Sequence, residues 1–494
     1  TGGNWNSAMG YDALADNTTG YRNAAMGYQA LADNTTGYDN SAVGHQALRY
    51  NGGANENSAM GSYALYSNTG GGQNAAMGSY ALNRNTTGSG NSAMGYKALY
   101  FNTTGYSNLA VGREALYNNT GGFYNAAMGY RALYSNTGGG RNAAMGGLAL
   151  YTNTGSGNSA MGYQALYSNT TGYDNSAVGR EALYSNTEGR YNAAMGYKAL
   201  YYNTTGFWNA AMGAFALAGN PTGSTGSGNS AMGFEALYSN TTGYGNSAVG
   251  REALYSTTEG SYNAAMGYSA LNMNTTGVRN TAIGTSALSG NTQGNYNVGV
   301  GYRANYLNQE GSNNTIIGYE AGGRGVVLHN KSGNVFIGYK AGYYETDSNL
   351  LYIENSDSNS PLIYGEFDND LLVVNGTLDV NGPIYQRGGV LHADYVFEPY
   401  YELETIDEHS EFMWANKHLP AIPEAKVDDS GQQIVEVGAH RKGIVEELEK
   451  AHIYIEQLHK RIGELQERNG KMESRLAAME GLVAGLSRRQ EGGI

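Results

Sequence analysis

A five-residue phrase recurs twenty times in this chain, and its spacing constrains the fold more than any other feature. The phrase is Asn, two mostly small residues, then Met, Val or Ile, then Gly; the first copy is residues 6–10 and the last is residues 334–338. The step between copies is 17 residues, except for one step of 16 and two of 20. A short, strict period indicates one structural unit stacked on itself, so we expect a repetitive rod over most of the chain.

Each unit also has fixed chemistry between the phrases. Ala comes four residues after the bulky apolar residue, Leu comes five after it in the first seventeen units, and an Asn-Thr-Thr-Gly turn or a variant closes the unit. Seventeen residues are too few for two helices but can hold two strands of about three to five residues and two turns. We therefore predict an all-β parallel solenoid of twenty coils, about 95 Å long at ~4.8 Å per coil.

The core of each coil is predicted to be the Met/Val column together with the Leu column. The residues taken to represent these two columns are Met9, Leu14, Met26, Leu31, Met128 and Leu133. A coil this narrow would leave one apolar face in water, at a cost of about 25 cal/mol per Å². Three such faces packed around an axis would bury it, so we predict a parallel homotrimer. The slot of Arg131, which other coils fill with Gln, Lys or Glu, is expected to face water.

The phrase Asn-Ser-Ala-Met-Gly-Tyr-x-Ala-Leu resembles the repeat in the heads of YadA-like trimeric autotransporter adhesins, over residues 1 to about 345. The resemblance implies a left-handed parallel β-roll with three chains side by side. This chain departs from that family in its longer coil and its abundant Tyr.

A second period is also present, because Val replaces Met in every fourth coil. These positions are Val43, Val111, Val178 and Val249, and the last three are followed by Gly-Arg-Glu-Ala-Leu. A block of about 68 residues has been duplicated, which lengthens a rod without changing its cross-section.

Composition excludes several classes of function. The net charge of −13 lies almost wholly after residue 345: residues 1–345 carry 16 Lys/Arg and 15 Asp/Glu, and residues 346–494 carry 13 and 27. Neither part has the basic surface that nucleic-acid binding needs. The chain has no Cys, which is compatible with export, and no apolar run long enough to span a membrane. It begins at Thr1 without a signal peptide, so we expect a mature, trimmed or partial chain.

Two columns of the repeat are candidate functional positions. The first Asn of the phrase is predicted to form a ladder between coils, represented by Asn108, Asn125 and Asn142. The turn Asn-Thr-Thr is formally a glycosylation sequon at several positions, but turn chemistry and a second Asn ladder are the favoured interpretation. The Tyr that follows the coil Leu is predicted to stack along the rod as a possible binding surface. That column contains Tyr117, Tyr134, Tyr151, Tyr167 and Tyr184.

Three further segments follow the repeats, so we divide the chain into residues 1–345 (β-roll), 346–390 (β neck), 391–437 (connector with a short helix) and 438–494 (coiled coil). In the neck, Asn375-Gly376 predicts a hairpin between residues 371–374 and 377–380. The neck and connector resemble segments of tail-fibre-like surface proteins of Bacteroidota, through Leu-Tyr-Ile-Glu-Asn-Ser, Pro-Leu-Ile-Tyr-Gly-Glu-Phe and Asn-Lys-His-Leu-Pro-Ala-Ile-Pro. That resemblance implies a context and no active site.

The last segment has an unbroken heptad pattern over residues 444–486. The a positions are Leu448, Ile455, Ile462, Asn469, Leu476 and Val483, and the d positions run from Ile444 to Leu486. Arg468 faces Glu473, and Arg475 faces Glu480, in the pairing of a parallel coiled coil, and Asn469 is predicted to fix the register. An Asn at a favours dimers, whereas the rod argues for three chains.

The sequence therefore predicts an extracellular or cell-surface fibre, structural or adhesive, that is not an enzyme and needs no cofactor or metal. Its expected partners are two copies of itself, with a surface receptor or glycan, or further copies in a filament, as additional candidates. A phage or phage-like tail fibre, located on a virion, is the main alternative. An ice-binding solenoid and a self-cleaving fibre with a C-terminal chaperone are weaker ones.

Overall fold

A computed structural model describes residues 4–323, 329–381, 393–424, 426–427, 433–434 and 437–490. The chain divides into two compact units, Thr1–Thr377 and Leu378–Ile494. The first is a β-solenoid in which each repeat contributes one three-residue strand. These strands are β1–β20: Ser7–Met9, Ala24–Met26, Ser41–Val43, Ser58–Met60, Ala75–Met77, Ser92–Met94, Leu109–Val111, Ala126–Met128, Ala143–Met145, Ser159–Met161, Ser176–Val178, Ala193–Met195, Ala210–Met212, Ser230–Met232, Ser247–Val249, Ala264–Met266, Thr281–Ile283, Val298–Val300, Thr315–Ile317 and Val335–Ile337.

Successive strands pair in parallel and in register, so that equivalent residues of neighbouring coils lie side by side. Ala126, Ala127 and Met128 of β8 pair with Ala143, Ala144 and Met145 of β9, and the same register holds across the 16-residue and 20-residue steps. The backbone also bonds between coils beyond the strands: the Leu133 amide donates to the Ala149 carbonyl (2.9 Å). The prediction of a β-solenoid with about twenty coils is confirmed.

The second side of each coil is a left-handed turn rather than the second strand that the sequence predicted. In the coil that follows β8, φ is +135° at Gly129 and +52° at both Arg131 and Leu133. All seventeen Leu of the column have positive φ, although this conformation costs a non-glycine residue about 1–2 kcal/mol. Burial of the Leu side chain and the bond between coils offset that strain. Strand-like contact on this side is limited to isolated bridges such as Phe101 with Asn118.

The interior of a coil is small and is made mainly of Ala and Leu. Ala127, Ala132 and Leu133 are fully buried, and the same three positions form one continuous core through coils two to seventeen, with Ala13 and Leu14 of the first coil packed against its end. The interpretation that the Met column lies inside the coil is wrong. Met128 is 40% exposed, and Met9 and Met26 are exposed more, because the middle residue of each strand points inward and its two neighbours point outward.

In the last two repeats the large and small core residues exchange places between the strand and the turn. Ile316 and Phe336 replace the central Ala of the strand, and Gly322 and Gly342 replace the Leu. A Cβ on Gly342 would lie 2.6 Å from the Phe336 ring, so a side chain there and the ring cannot share the coil. The interior therefore accepts one large side chain per coil, from either position.

Three further strands extend the same sheet: β21 (Leu350–Ile353), β22 (Ile363–Glu366) and β23 (Leu371–Val374). β21 pairs in parallel with β20, and β22 and β23 add in antiparallel order. The turn of the last hairpin is residues 367–370. The predicted hairpin at Asn375-Gly376 is wrong, since residues 377–380 form no strand.

The described residues of the second unit form a 3-10 helix (Asp394–Phe397), two α-helices and a pair of two-residue strands. The helices are α1 (Ile406–Asn416) and α2 (Val437–Gln490), and the strands are β24 (Lys426–Val427) and β25 (Gln433–Ile434). Thr405 and Glu408 form a capping box at the start of α1, and Lys417 ends it in a left-handed conformation. At ~1.5 Å per residue, the 54 residues of α2 extend for about 80 Å.

The exchange of large and small core residues can be tested with a double-mutant cycle at the last coil. Phe336→Ala alone should cost about 3–5 kcal/mol by leaving a cavity, and Gly342→Leu alone should clash with the ring. The double variant recreates the Ala–Leu pair of the first seventeen coils and should be more stable than either single variant in chemical unfolding. Additive losses would show that the two positions do not share one space.

Candidate binding surfaces

The Asn of the repeat phrase forms a ladder inside the solenoid. Asn125 donates from its backbone amide (3.0 Å) and from Nδ2 (3.1 Å) to Oδ1 of Asn108, and Nδ2 also donates to the Gly139 carbonyl (2.8 Å). Asn142 makes the same bonds to Oδ1 of Asn125. These side chains are buried, and each one links two coils and the turn of its own coil. The predicted ladder residues are therefore structural, with their polar atoms satisfied.

The Asn of the turn phrase forms a second ladder on another side of the coil. Nδ2 of Asn34 donates to Oδ1 of Asn17 (2.9 Å), and Nδ2 of Asn102 donates to Oδ1 of Asn85 (2.8 Å) and to the Gly105 carbonyl (2.8 Å). Asn34, Asn85 and Asn102 are fully buried. Their Nδ2 atoms are thus engaged and closed to a glycosylating enzyme in the folded chain, which favours the turn interpretation. The neighbouring Thr hydroxyls also donate to carbonyls of the next coil, as Thr103 does to Thr120 (2.8 Å).

The Tyr column forms a continuous stack of rings. Ring centroids of neighbours from Tyr117 to Tyr184 lie 5.0–5.1 Å apart, with interplanar angles of 2–8°. The structure extends the column by one ring at each end, to Tyr100 and Tyr201. Because neighbours cover both faces of an inner ring, only the edges and hydroxyls meet water. Burial, followed by neighbouring Tyr rings, raises the pKa of Tyr134 and Tyr167. The stack therefore stabilises the solenoid and presents a row of hydroxyl groups.

Charged side chains lie over this aromatic surface. Arg131 lies 5.1 and 5.3 Å from the centroids of Tyr130 and Tyr134, and its Nε donates to Glu114 (2.6 Å). The expectation that Arg131 simply faces water is therefore wrong. Glu114 is almost buried; its burial acts to raise its pKa, but the hydrogen bonds and charges of Arg131 and Arg113 hold that pKa below its usual value.

Arg113, Arg180 and Arg251, which follow the Val of every fourth coil, lie between aromatic rings of the coils on either side. The guanidinium of Arg113 is 5.8 Å from the Tyr96 ring and 6.0 Å from the Tyr130 ring. Arg180 lies between Tyr163 and Tyr197 in the same way. From the sequence, these arginines mark the duplicated block but are not predicted to form a site. The sequence pattern that indicates these sites is an aromatic residue at the position equivalent to the arginine in the coil before it and in the coil after it.

An apolar strip runs along the strand side of the solenoid. It consists of the outward Met, Val and Ile of β1–β20 with the outward residue two positions before each, which is Ser or Ala in fifteen strands and Leu, Thr or Val in the other five. A shallow groove on this strip is lined by Val178, Met195, Met212 and Met232 with the Ala and Ser between them. The strip bears no charged residue on any of the twenty strands.

The helix α2 presents its heptad positions to solvent. Its a and d side chains from Ile444 to Leu486, Ala451 included, are all exposed. Within the described part of the chain, the ion pairs of its second half join Lys460 to Glu456, Arg461 to Glu464, and Lys471 to Glu467. Arg468, Glu473, Arg475 and Glu480 form none of these, and Asn469 lies in the apolar seam beside Met472 and Leu476.

Two lysines of the described residues are buried among acidic or carbonyl oxygens. In the second unit, Lys450 of α2 lies 3.2 Å from Glu404 and within 4 Å of Glu446 and Glu447, which fastens the segment before α1 to α2. In the first unit, Nζ of Lys331 donates to the carbonyls of Gly322 (2.6 Å) and Glu345 (3.2 Å). Burial lowers the pKa of Lys331 to about 7. Both act as structural ties, the second one closing the last coils.

Comparison with family models, with curated proteins and with solved structures finds no match to this chain. Among the described residues, no cluster of His, Asp and Glu has the arrangement of a metal site. The described helices include none that is both long and apolar enough to cross a membrane.

The ladder can be tested by the same substitution at two nearby positions. Asn125→Ser removes the amide that joins two coils and leaves the buried Oδ1 of Asn108 without its side-chain donor, while the Gly139 carbonyl keeps only the Asn136 amide, so we expect a loss of about 1–3 kcal/mol. Asn118→Ser changes a half-buried position that is already Ser in the next coil, at Ser135, and should stay within about 0.5 kcal/mol. Chemical unfolding of both variants measures the difference; equal losses would rule out a special role for the ladder.

Proposed function

We propose that this chain is the subunit of an extracellular, homotrimeric fibre that acts by reach and surface contact, as an adhesin or a structural appendage. The observation that carries the proposal is the uncharged apolar strip along all twenty strands. Soluble proteins rarely leave a long continuous apolar surface in water. A partner that matches a repeat of one coil over the whole length is most simply another copy of the same solenoid, placed in parallel and in register.

The exposed seam of α2 supports the same proposal independently. A lone helix gains little by presenting Leu, Ile and Met at most of its a and d positions, whereas a coiled coil buries them. The charges at Arg468 and Arg475 are placed to meet Glu473 and Glu480 of a parallel neighbour. Two separate units of the chain therefore each favour self-association, and the resemblance to trimeric adhesin heads favours three copies over two.

The location and the partners follow from this architecture. A cysteine-free repetitive fibre suits a cell surface, and the resemblance of the neck and connector to tail-fibre-like proteins keeps a virion as the other candidate location. The buried Asn and stacked Tyr columns stiffen the solenoid, so its outer residues are held at fixed intervals. Such a surface suits repeated contact with a receptor, a glycan or further copies of the fibre.

The role of the apolar strip can be tested by adding charge to it. Met195→Glu with Met212→Glu places two carboxylates on the strip, and burial of unpaired carboxylates costs several kcal/mol. We expect the melting temperature of the solenoid to fall by several degrees. The control, Thr171→Glu with Thr242→Glu, adds the same charge at an exposed turn position that is naturally Glu at Glu188 and Glu259, and should change little.

The same samples should be weighed by mass photometry. Wild-type particles should contain three chains of 52.5 kDa. A stable single chain, or a Met195/Met212 variant that melts like the control, would contradict the proposal, because in one chain these Met side chains are already exposed to water. Two chains per particle would contradict the three-fold arrangement. Electron microscopy of the source material would then separate a cell appendage from a virion fibre.

A further inference from the structure

Every fourth coil of the solenoid carries a short side chain, Val, where the other early coils carry Met, and three of these coils carry Arg two residues later. The arginines are Arg113, Arg180 and Arg251, and they lie at equivalent places in coils seven, eleven and fifteen. Four coils at about 4.8 Å each separate consecutive arginines by ~19 Å along the solenoid. The repeat thus places one arginine of this column in each of these blocks, at a nearly constant interval.

Each of these guanidinium groups lies between two aromatic rings, one from the coil before and one from the coil after. For Arg113 the rings are Tyr96 and Tyr130, and for Arg180 they are Tyr163 and Tyr197, at distances of 5.8–6.0 Å. Arg251 lies 5.7 Å from Phe234 and 5.8 Å from Tyr268. A guanidinium held between two rings is attracted to both of them, and this restricts its position on the surface.

A carboxylate of the same coil fixes the remaining freedom of the group. Nε of Arg180 donates to Glu181 (2.9 Å), and Arg251 bonds to Glu252 in the same way. Nε of Arg113 lies 3.5 Å from Glu114. These contacts use Nε and leave the two Nη atoms for a ligand, while the arginine side chains remain 60–63% exposed. A planar, pre-oriented N–H edge of this kind is suited to bidentate recognition of an oxyanion.

We propose that Arg113 and Arg180 bind the acid groups of an acidic polysaccharide laid along the solenoid, with the hydroxyls of the flanking Tyr rings bonding to the sugar hydroxyls. The proposal rests on the adhesive function proposed above and gives its ligand a chemical class. The exposed rings beside the arginines, Tyr96, Tyr130, Tyr163 and Tyr197, supply the neutral part of the surface.

The surrounding charges decide which of the three arginines take part. Around Arg113 the neighbouring coils add Lys97, Glu114 and Arg131, so the cluster carries three cations and one carboxylate, a net charge of +2. Around Arg180 they add Glu181 and Lys198, for a net of +1. Around Arg251 they add Glu235 and Glu252, for a net of −1. The first two sites therefore attract an anion, and the third repels it.

A polysaccharide fits this surface better than a nucleic acid does. DNA carries a charge every ~1.7 Å and binds to dense tracks of Lys and Arg. Here the cations occur in clusters four coils apart, each with a neighbouring Glu, and residues 1–345 carry almost no net charge. Acid groups that are separated by neutral sugar hydroxyls match such a surface.

The test uses the intact protein and immobilised polygalacturonate, with dextran sulfate, neutral dextran and a single-stranded oligonucleotide as the other surfaces. Arg113→Gln with Arg180→Gln should weaken binding to polygalacturonate at least tenfold. The control, Arg141→Gln with Arg251→Gln, removes the same amount of charge. Arg141 is an exposed arginine without an aromatic partner, and Arg251 belongs to the site that repels anions. The affinity of this control for polygalacturonate should stay within twofold of the wild type. Gln stands at Gln73 in the column of Arg141, so the backbone there accepts it.

The outcomes separate the proposal from its competitors. Tighter binding to polygalacturonate identifies the acid group as a carboxylate, and tighter binding to dextran sulfate identifies it as a sulfate. Either result supports the proposal if the Arg113/Arg180 variant no longer binds that polymer. Equal losses in both double variants, equal binding to neutral dextran, tighter binding to the oligonucleotide, or no binding to either acidic polymer would overturn it. A changed particle mass in the Arg113/Arg180 variant would also overturn it, by placing these arginines between subunits. An unchanged trimer that binds no polymer would leave the proposed fibre intact.

Discussion

Everything in the first unit depends on identical residues lying directly above one another in successive coils. The parallel register places Asn on Asn, Ala on Ala and Tyr on Tyr. Each coil gains the same set of bonds from its neighbours: backbone bonds on the strand and turn sides, two Asn amides inside, and stacked rings outside. None of these contacts exists in an isolated repeat, so the repeats stabilise one another through their interfaces.

This constraint explains why the coil tolerates a strained backbone. The turn after each strand places a Leu in the left-handed region, which a single loop would avoid. In the stack, that conformation directs the Leu side chain into the core and its amide towards the next coil. When Phe336 fills the core from the strand, the same backbone position becomes Gly342 and keeps φ near +60°. The backbone path is therefore constant, and the side chains adjust to it.

The solenoid and its stacked columns could be predicted because a strict period fixes which residues are neighbours. The period alone places Asn125 beside Asn108 and Tyr134 beside Tyr117. The direction of the Met column could not be obtained this way. In a three-residue strand, the choice between Ala127 and Met128 as the inward residue is a matter of one position, and hydrophobicity favours the larger side chain. The closed coil has room only for Ala there, because Leu133 already fills it.

Other features were missed because they depend on contacts between columns. Arg131 was expected in water, yet it pairs with Glu114 of the preceding coil. The arginine sites form only when the stacking of three successive coils places Arg113 between Tyr96 and Tyr130. The strong local turn signal Asn375-Gly376 predicts a neck hairpin there, whereas the pairing of β22 with β21 and β23 sets the turn at residues 367–370. In each case tertiary packing outweighs the local pattern.

If the coils of the solenoid are interchangeable layers, one duplicated block can be removed without unfolding the rest. Deletion of such a block tests this most directly. Deleting residues 112–178 joins Val111 to Gly179 and removes four coils in phase. Electron microscopy of the intact and shortened proteins should show a solenoid that remains folded and is shorter by about 19 Å, at ~4.8 Å per coil. A shortened chain that loses its β structure, or a solenoid of unchanged length, would contradict the stacked-coil account.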